Sequence, residues 1–200
     1  MAGAQPPPLR ALHLSAGECV TLRPIGPGDA GILQSYVRGL SPESRYDRFF
    51  AALYELPPAE LDRVTHLDRK CELALLAETR VDGAPIVIGE ARYALAPNRF
   101  EGEFALSVAD DWRGKGLGRL LMADIERRAR SQGAECLWGY ILRSNEPMKA
   151  LARNTGFHMA DVPRDAKLVR VLKDLALSRS TDSLGMVTAS KHGRSFHAAC

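Results

Sequence analysis

Residues 110–119 read Asp-Asp-Trp-Arg-Gly-Lys-Gly-Leu-Gly-Arg, and this glycine-rich stretch lies between an apolar run and a run with helical spacing. The apolar run, 104–108, predicts a strand, and the run 120–127 predicts a helix. A glycine turn between a strand and a helix directs several backbone N–H groups toward one point, and the positive end of the helix reinforces them. Side chains at the glycines would hold phosphates away from the backbone. The stretch therefore predicts a site for a phosphate-bearing ligand.

Two common phosphate-binding loops do not fit this stretch. A Walker A loop ends in Gly-Lys-Ser/Thr, whereas this loop ends in Gly-Leu-Gly-Arg. A dinucleotide loop has the spacing Gly-x-Gly-x-x-Gly, but Gly114, Gly116 and Gly118 alternate with single residues. The pattern from Arg113 to Gly118 instead resembles the pyrophosphate loop of the GNAT acyl-CoA-dependent N-acetyltransferases. A tight turn in an unrelated α/β protein is the alternative interpretation of these residues.

Composition limits the function classes. The 200 residues carry a net charge of +3 with acidic and basic residues interspersed, which does not favour a nucleic-acid or membrane partner. No stretch approaches the roughly 18 apolar residues of a membrane span, and the amino terminus lacks a signal-peptide core. The four cysteines are scattered and show no metal-site or redox spacing. We therefore expect a soluble protein of a reducing compartment, the cytoplasm, with no metal.

The chain reads as one domain between two tails. Residues 1–16 are Pro-rich and residues 178–200 are rich in Ser, Thr and Gly, so both are expected to be disordered, with the domain spanning 17–177. Between the tails, the predicted strands outnumber those of any simple doubly wound plan, and we predict an α/β (α+β) fold with a mixed sheet. The predicted strands are 19–24, 71–79, 86–94, 103–108, 136–142 and 167–172. The predicted helices are 28–40, 41 onward, 57–65, 117–130 and 145–155.

A second signature follows the strand 136–142. Asn145 opens a helix and is followed eleven residues later by Gly156-Phe157. This spacing also resembles GNAT proteins, and the two signatures occur in the expected order. The resemblance implies a GNAT fold, in which a mostly antiparallel sheet is splayed at an acyl-CoA site and flanked by helices.

Further stretches resemble the acetyltransferase domain of the bacterial Pat-type protein lysine acetyltransferases. These stretches are 41–50 (Ser-Pro-Glu-Ser-Arg-Tyr-Asp-Arg-Phe-Phe), 65–68, 72–77 and 103–108. The resemblance implies transfer of an acetyl group from acetyl-CoA to a protein lysine. A small amine as acceptor, and a non-catalytic acyl-CoA sensor, stay open as alternatives.

Glu103 is the predicted general base. A lysine amine must lose a proton before it attacks a thioester, and a carboxylate is the usual acceptor of that proton. Glu103 lies on the strand that enters the glycine loop and matches the catalytic Glu of the Pat-type domains. Glu101, on the same strand face, and Glu90, on the preceding strand, are the rivals. We assign no general acid, because the position where many GNAT enzymes carry a tyrosine is Ala152.

The resemblance also implies a set of residues that bind acetyl-CoA. Main-chain groups on the strand would bind the pantetheine arm, the loop would hold the pyrophosphate, and an asparagine amide would reach the cofactor arm. The predicted set is Leu106, Ser107, Val108, Arg113, Gly114, Lys115, Gly116, Leu117, Gly118, Arg119 and Asn145. Arg113 and Lys115 could equally be solvated basic residues, and Asn145 could be a helix N-cap.

Overall fold

The computed structural model describes residues 10–14 and 17–176. It contains eight strands and five α-helices over those residues. The strands are β1 (Arg10–His13), β2 (Cys19–Pro24), β3 (Glu72–Val81), β4 (Ala84–Leu95), β5 (Glu101–Val108), β6 (Cys136–Leu142), β7 (His158–Val162) and β8 (Asp165–Asp174). The helices are α1 (Ala30–Gly39), α2 (Pro42–Phe49), α3 (Pro58–Thr65), α4 (Leu117–Ser131) and α5 (Glu146–Asn154).

The strands form one sheet in the order β1-β2-β3-β4-β5-β6-β8-β7. Every neighbouring pair is antiparallel except β5 and β6, which are parallel. The parallel pairing is also short, because it ends at the Glu103–Trp138 pair although both strands continue. The two strands therefore separate beyond that pair, as the GNAT resemblance implied.

Helices cover the sheet on both faces. Apolar residues of α4, such as Leu121 and Ile125, join those of β4 and β5 in one core that also includes Ala152 of α5. On the other face, Leu33 and Val37 of α1 belong to a second core with residues of α2, α3 and β3. Alternating side chains along β3 serve the two cores, as expected for a strand buried on both faces.

Local sequence signals account for several element boundaries. Ser41 caps α2, since its Oγ accepts a hydrogen bond from the Ser44 backbone N–H at 3.1 Å. The β3–β4 hairpin turns at Asp82 and Gly83, which both have positive φ angles (49° and 80°). Such a pair is typical of the type I′ turn that matches strand twist.

The structure adds two strands that the sequence did not predict. Strand β1 falls inside residues 1–16, which we had expected to be disordered, so that expectation is wrong for Arg10–His13. Strand β7 follows Phe157 directly and has five mostly exposed residues. Both strands are short, and each lies at one edge of the sheet, where it pairs with a single neighbour. An edge strand of this kind does not need a regular pattern of apolar residues. The expected tail 178–200 lies outside the described residues.

Candidate active site

A cavity of about 400 Å³ lies where β5 and β6 separate. Parts of the chain that line it include β5 from Glu103 onward, the glycine loop, the first turns of α5, and α2, together with Tyr140 and Ile141 of β6. Each of the first four parts carries one of the motifs found in the sequence. Motifs that are distant in the sequence therefore meet at one cavity, which lies between the two diverging strands.

The glycine loop leaves the amino terminus of α4 open. Gly114 and Gly116 have φ angles of 75° and 90°, a left-handed conformation that glycine adopts without steric cost. Helix α4 starts directly after Gly116, with no side-chain cap and no acidic residue in its first turn. The first N–H groups of a helix have no partner within the helix and carry its positive dipole end. This terminus is therefore suited to bind an anion.

Gly118 has a different function from the two glycines before it. A Cβ atom added there would lie 3.0 Å from Cδ2 of Leu151, a residue of α5. Glycine at this position lets α4 and α5 approach each other beside the cavity. The loop thus needs its first two glycines for backbone conformation and the third for helix packing.

The amino terminus of α5 is capped by a side chain, unlike that of α4. The Met148 backbone N–H donates a hydrogen bond of 2.9 Å to Oδ1 of Asn145, and Glu146 lies in the first turn. Asn145 is thus the N-cap of α5, and it also lines the cavity. A role in ligand binding would have to use its amide nitrogen.

The basic residues of the loop are held by neighbouring side chains. Arg113 lines the cavity, and its Nη2 donates to Oγ of Ser44 at 2.7 Å. Lys115 turns to another partner: its Nζ lies 3.2 Å from Oε1 of Glu18 and 4.3 Å from the centre of the Trp112 ring. The side chain of Leu117 is buried in the core, which leaves its backbone for any ligand contact.

Asp110 connects the loop to α2. Its carboxylate accepts hydrogen bonds from the Ser44 hydroxyl at 2.5 Å and the Ser41 backbone N–H at 2.9 Å. Burial alone would raise the pKa of Asp110, but these hydrogen bonds and the charge of Arg113 hold it below its ordinary value. The acid is therefore ionised at neutral pH and fixes α2 beside the loop.

Glu103 lines the cavity and is 6% exposed. Its neighbours across the sheet are Ala94 of β4 and Trp138 of β6. The predicted strand residues Leu106, Ser107 and Val108 line the cavity beyond it, on the part of β5 that β6 does not pair. The structure therefore brings the predicted base, the strand edge and the glycine loop to one cavity.

Glu90 lies on the same sheet face but is committed to an ion-pair network. It is 1% exposed and pairs with Nε of Arg48 at 2.5 Å and Nε of Arg92 at 3.1 Å. Burial alone would raise the pKa of Glu90, yet the two guanidinium charges and their hydrogen bonds hold it below its ordinary value. A carboxylate held in this way is a poor proton acceptor.

Sequence reasoning missed this network, including Arg48, which lines the cavity. A signal was present, since Glu90 and Arg92 interrupt an otherwise apolar strand. Charged residues at buried strand positions are almost always paired. The partner on α2 is 42 residues away and is not apparent from the sequence.

Three hydroxyl-bearing side chains line the cavity, those of Ser44, Ser107 and Tyr140, and we assign none of them as a general acid. Ala152 is fully buried in the core, so its position does not face the cavity. The Ser107 hydroxyl is hydrogen-bonded to the Tyr36 hydroxyl at 2.9 Å, and Ser44 is bonded to Asp110. Tyr140 lines the cavity from β6.

Two negative findings concern the described residues. No group of His, Cys, Asp and Glu side chains in residues 10–14 and 17–176 has the arrangement of a metal site. Over the same residues, every helix is too short or too polar to cross a bilayer.

Comparison with known proteins identifies relatives of this arrangement. Residues 40–157 match the model of the acetyltransferase (GNAT) family. An acetyltransferase of Pseudomonas aeruginosa is 30% identical over 164 residues, which cover 82% of this chain and 87% of that protein. The range of the family match, 40–157, contains every residue that lines the cavity.

Solved structures show the same similarity. The crystal structure of the GNAT domain of S. lividans PAT superposes with a TM-score of 0.75 at 28% identity, covering 83% of this chain and 96% of that domain. A cAMP-binding acyltransferase from Mycobacterium smegmatis has a TM-score of 0.58 at 22% identity. The match covers 84% of this chain but 47% of the mycobacterial protein, and at that identity it shows the fold alone.

Proposed function

Because the chain belongs to the GNAT acetyltransferase family, we propose that it transfers the acetyl group of acetyl-CoA to the side-chain amine of a protein lysine. The observation that carries this proposal is one cavity joining the open terminus of α4 to the buried carboxylate of Glu103. An anion site and a carboxylate that can accept a proton, both in the wall of one cavity, fit a site that binds an acyl-CoA together with an amine.

The main chain would supply most of the cofactor contacts. The backbone from Gly114 to Arg119 would bind the pyrophosphate at the α4 terminus, with Arg113 and Arg119 adding positive charge from the cavity wall. Leu106, Ser107 and Val108 would bind the pantetheine arm along the strand edge that β6 leaves unpaired. The Asn145 amide nitrogen would reach the same arm.

Glu103 would accept the proton of the attacking amine, directly or through water. A lysine has an ordinary pKa near 10.4, so exposing its lone pair at pH 7 costs about 4.6 kcal/mol. The nitrogen then attacks the thioester carbon, the C–S bond breaks, and the CoA thiolate leaves. A thiolate whose conjugate acid has a pKa of about 8.5 is a fair leaving group, so water suffices as its proton donor.

The Pat-type motifs of the sequence support a protein lysine as the acceptor, as does the similarity to the S. lividans PAT domain. We place the reaction in the cytoplasm, since Cys19, Cys71 and Cys136 are all unpaired. A small amine is the second candidate, because a cavity of about 400 Å³ is in the range that small molecules occupy.

The loop assignment is tested by binding. Gly116→Val should abolish the rise in melting temperature that CoA produces, because valine cannot adopt the left-handed conformation of this residue without strain. Val81→Ala, at an exposed hairpin position, is the control. Undiminished CoA binding in folded Gly116→Val protein would contradict the assignment.

The acceptor is tested by mass spectrometry of a cell lysate incubated with the protein and isotope-labelled acetyl-CoA, with release of free CoA measured in parallel. We expect label on protein lysines together with CoA release. Label on small amines alone would support the second candidate. CoA binding without release under any condition would indicate a sensor and overturn the proposed activity.

A further inference from the structure

Beyond the cavity, β6 and β8 present one face whose side chains are not buried. Alternate residues of the two strands are buried on the sheet face that packs against α4: Leu137, Ile141, Val169 and Val171. The residues between them point to the opposite side. Trp138, Tyr140 and Arg170 are half-buried there, and Leu172 is 39% exposed. We call these four residues the open sheet face.

The open sheet face begins at the active site. Trp138 is the direct neighbour of Glu103 in the sheet, and paired residues of adjacent strands have side chains on the same face. Leu172 follows as the partner of Trp138 on β8, while Tyr140 both belongs to the face and lines the cavity. A ligand that enters the cavity and extends along the sheet would therefore pass over these residues.

One end of the open sheet face is acidic. The register places Cys136 between Glu101 of β5 and Asp174 of β8, on the same face as Glu103. Burial, together with the negative charges of Glu101 and Asp174, raises the pKa of the Cys136 thiol to about 11, and Arg170 acts in the opposite direction. Glu101 and Asp174 thus place two acidic side chains at this end of the face.

The middle of the face combines an aromatic ring and a cation. The guanidinium carbon of Arg170 lies 4.9 Å from the centre of the Trp138 ring, and Tyr140 meets the same ring edge-on at 5.5 Å. Tryptophan, tyrosine and arginine are the residues most enriched where proteins bind proteins. Along the face, the acidic side chains of Glu101 and Glu103 are followed by the basic side chain of Arg170.

We propose that the open sheet face docks the protein segment that carries the acceptor lysine, with an apolar side chain of that segment over Trp138 and Leu172 and an acidic side chain at Arg170. The acidic end complements the lysine ammonium group before it reaches Glu103. This inference rests on the proposed lysine acetylation. A small amine would be held within the cavity and would not reach Leu172.

The first test measures flanking-sequence preference. The substrates are a peptide library with a central lysine and randomised flanks, and Nα-acetyl-lysine amide as a short acceptor. We expect the wild-type protein to favour acidic residues at one flanking position. Arg170→Glu should reverse that preference to basic residues, and Arg170→Lys should retain it. An unchanged preference in Arg170→Glu would overturn the proposal, because a merely structural role of Arg170 predicts no reversal.

The second test uses exposed apolar positions. Leu172→Asp should lower kcat/KM for the peptides about tenfold and for the short acceptor by less than about twofold. Val81→Asp, at a similarly exposed position (43%) on the β3–β4 hairpin, should change neither. Equal losses for both acceptors, or a change of oligomeric state in Leu172→Asp, would overturn the docking surface alone. Acetylation of small amines without any peptide turnover would overturn the lysine assignment as well.

Discussion

Glu90 and Glu103 are both buried glutamates on neighbouring strands and on the same sheet face, yet their surroundings differ. Two arginines hold Glu90 at 2.5 Å and 3.1 Å, in an interior cluster that extends from Arg92 to Glu60. Glu103 is 6% exposed and lines the cavity. The first carboxylate connects α2 to the sheet, whereas the second faces the space where a substrate would bind.

The comparison shows that burial alone does not identify a catalytic carboxylate. Fixed cationic partners keep Glu90 ionised and lower its pKa, which reduces its ability to take up a proton. A general base needs access to the reacting group within hydrogen-bond reach, a condition that the cavity gives to Glu103. Substitutions at the two positions should therefore affect different properties.

The largest effect is expected for Glu103→Gln. Glutamine keeps the shape of the side chain and removes its capacity to accept a proton, so turnover should fall by about 10²–10⁴-fold. Acetyl-CoA affinity should stay nearly unchanged. Steady-state kinetics and calorimetric binding measure the two quantities separately, and a loss of cofactor binding of the same size would indicate a structural role instead.

Glu90→Gln should reduce stability rather than chemistry. The change leaves two buried arginines without their shared carboxylate, and breaking a buried ion pair typically costs about 3–5 kcal/mol. Denaturant unfolding gives the free energy directly. If Glu90→Gln were fully stable but catalytically dead, the assigned roles of the two glutamates would be reversed.

The pH dependence of stability should report on the ion pairs of Glu90. The pKa of Glu90 is lowered in the folded state, so its contribution to stability is present at neutral pH and is lost as pH falls below about 5. The difference in melting temperature between wild type and Glu90→Gln should therefore narrow under acidic conditions. A difference that is constant from pH 7 to pH 3 would contradict the ion-pair account.

The smallest effect is expected for Glu101→Gln. This residue shares the strand face with Glu103 but is not part of the cavity wall. Turnover of a short lysine acceptor should change by less than about threefold. A loss as large as that of Glu103→Gln would show that the general base was assigned one strand repeat too far along β5.

Local signals in the sequence predicted most of the elements that form the site. Strand β6 was predicted with its observed bounds, because an apolar run of seven residues follows the helix stop at Gly133. The start of α2 followed from Ser41 and Pro42, a cap and a first-turn proline. Short edge strands such as β1 gave no such signal.

Local sequence patterns do not show which distant segments lie together in the folded chain. The separation of β5 and β6 depends on where the parallel pairing stops, and no residue in either strand specifies that point by its type; only the family resemblance implied it. The pairing of Arg48 with Glu90 depends on how α2 packs on the sheet. The motifs of the site were thus predictable from local chemistry, whereas the cavity and its ion-pair network required the three-dimensional structure.

The central claim is that Glu103 deprotonates the attacking amine, and the pH dependence of the chemical step tests it most directly. Single-turnover rates with a lysine peptide would be measured from pH 7 to pH 10 for wild type and Glu103→Gln. The deficit of the variant should shrink as pH rises toward the lysine pKa near 10.4, since more amine is then neutral without help. A deficit that stays constant across this range would contradict the claim and leave the cavity acting by alignment of the two substrates.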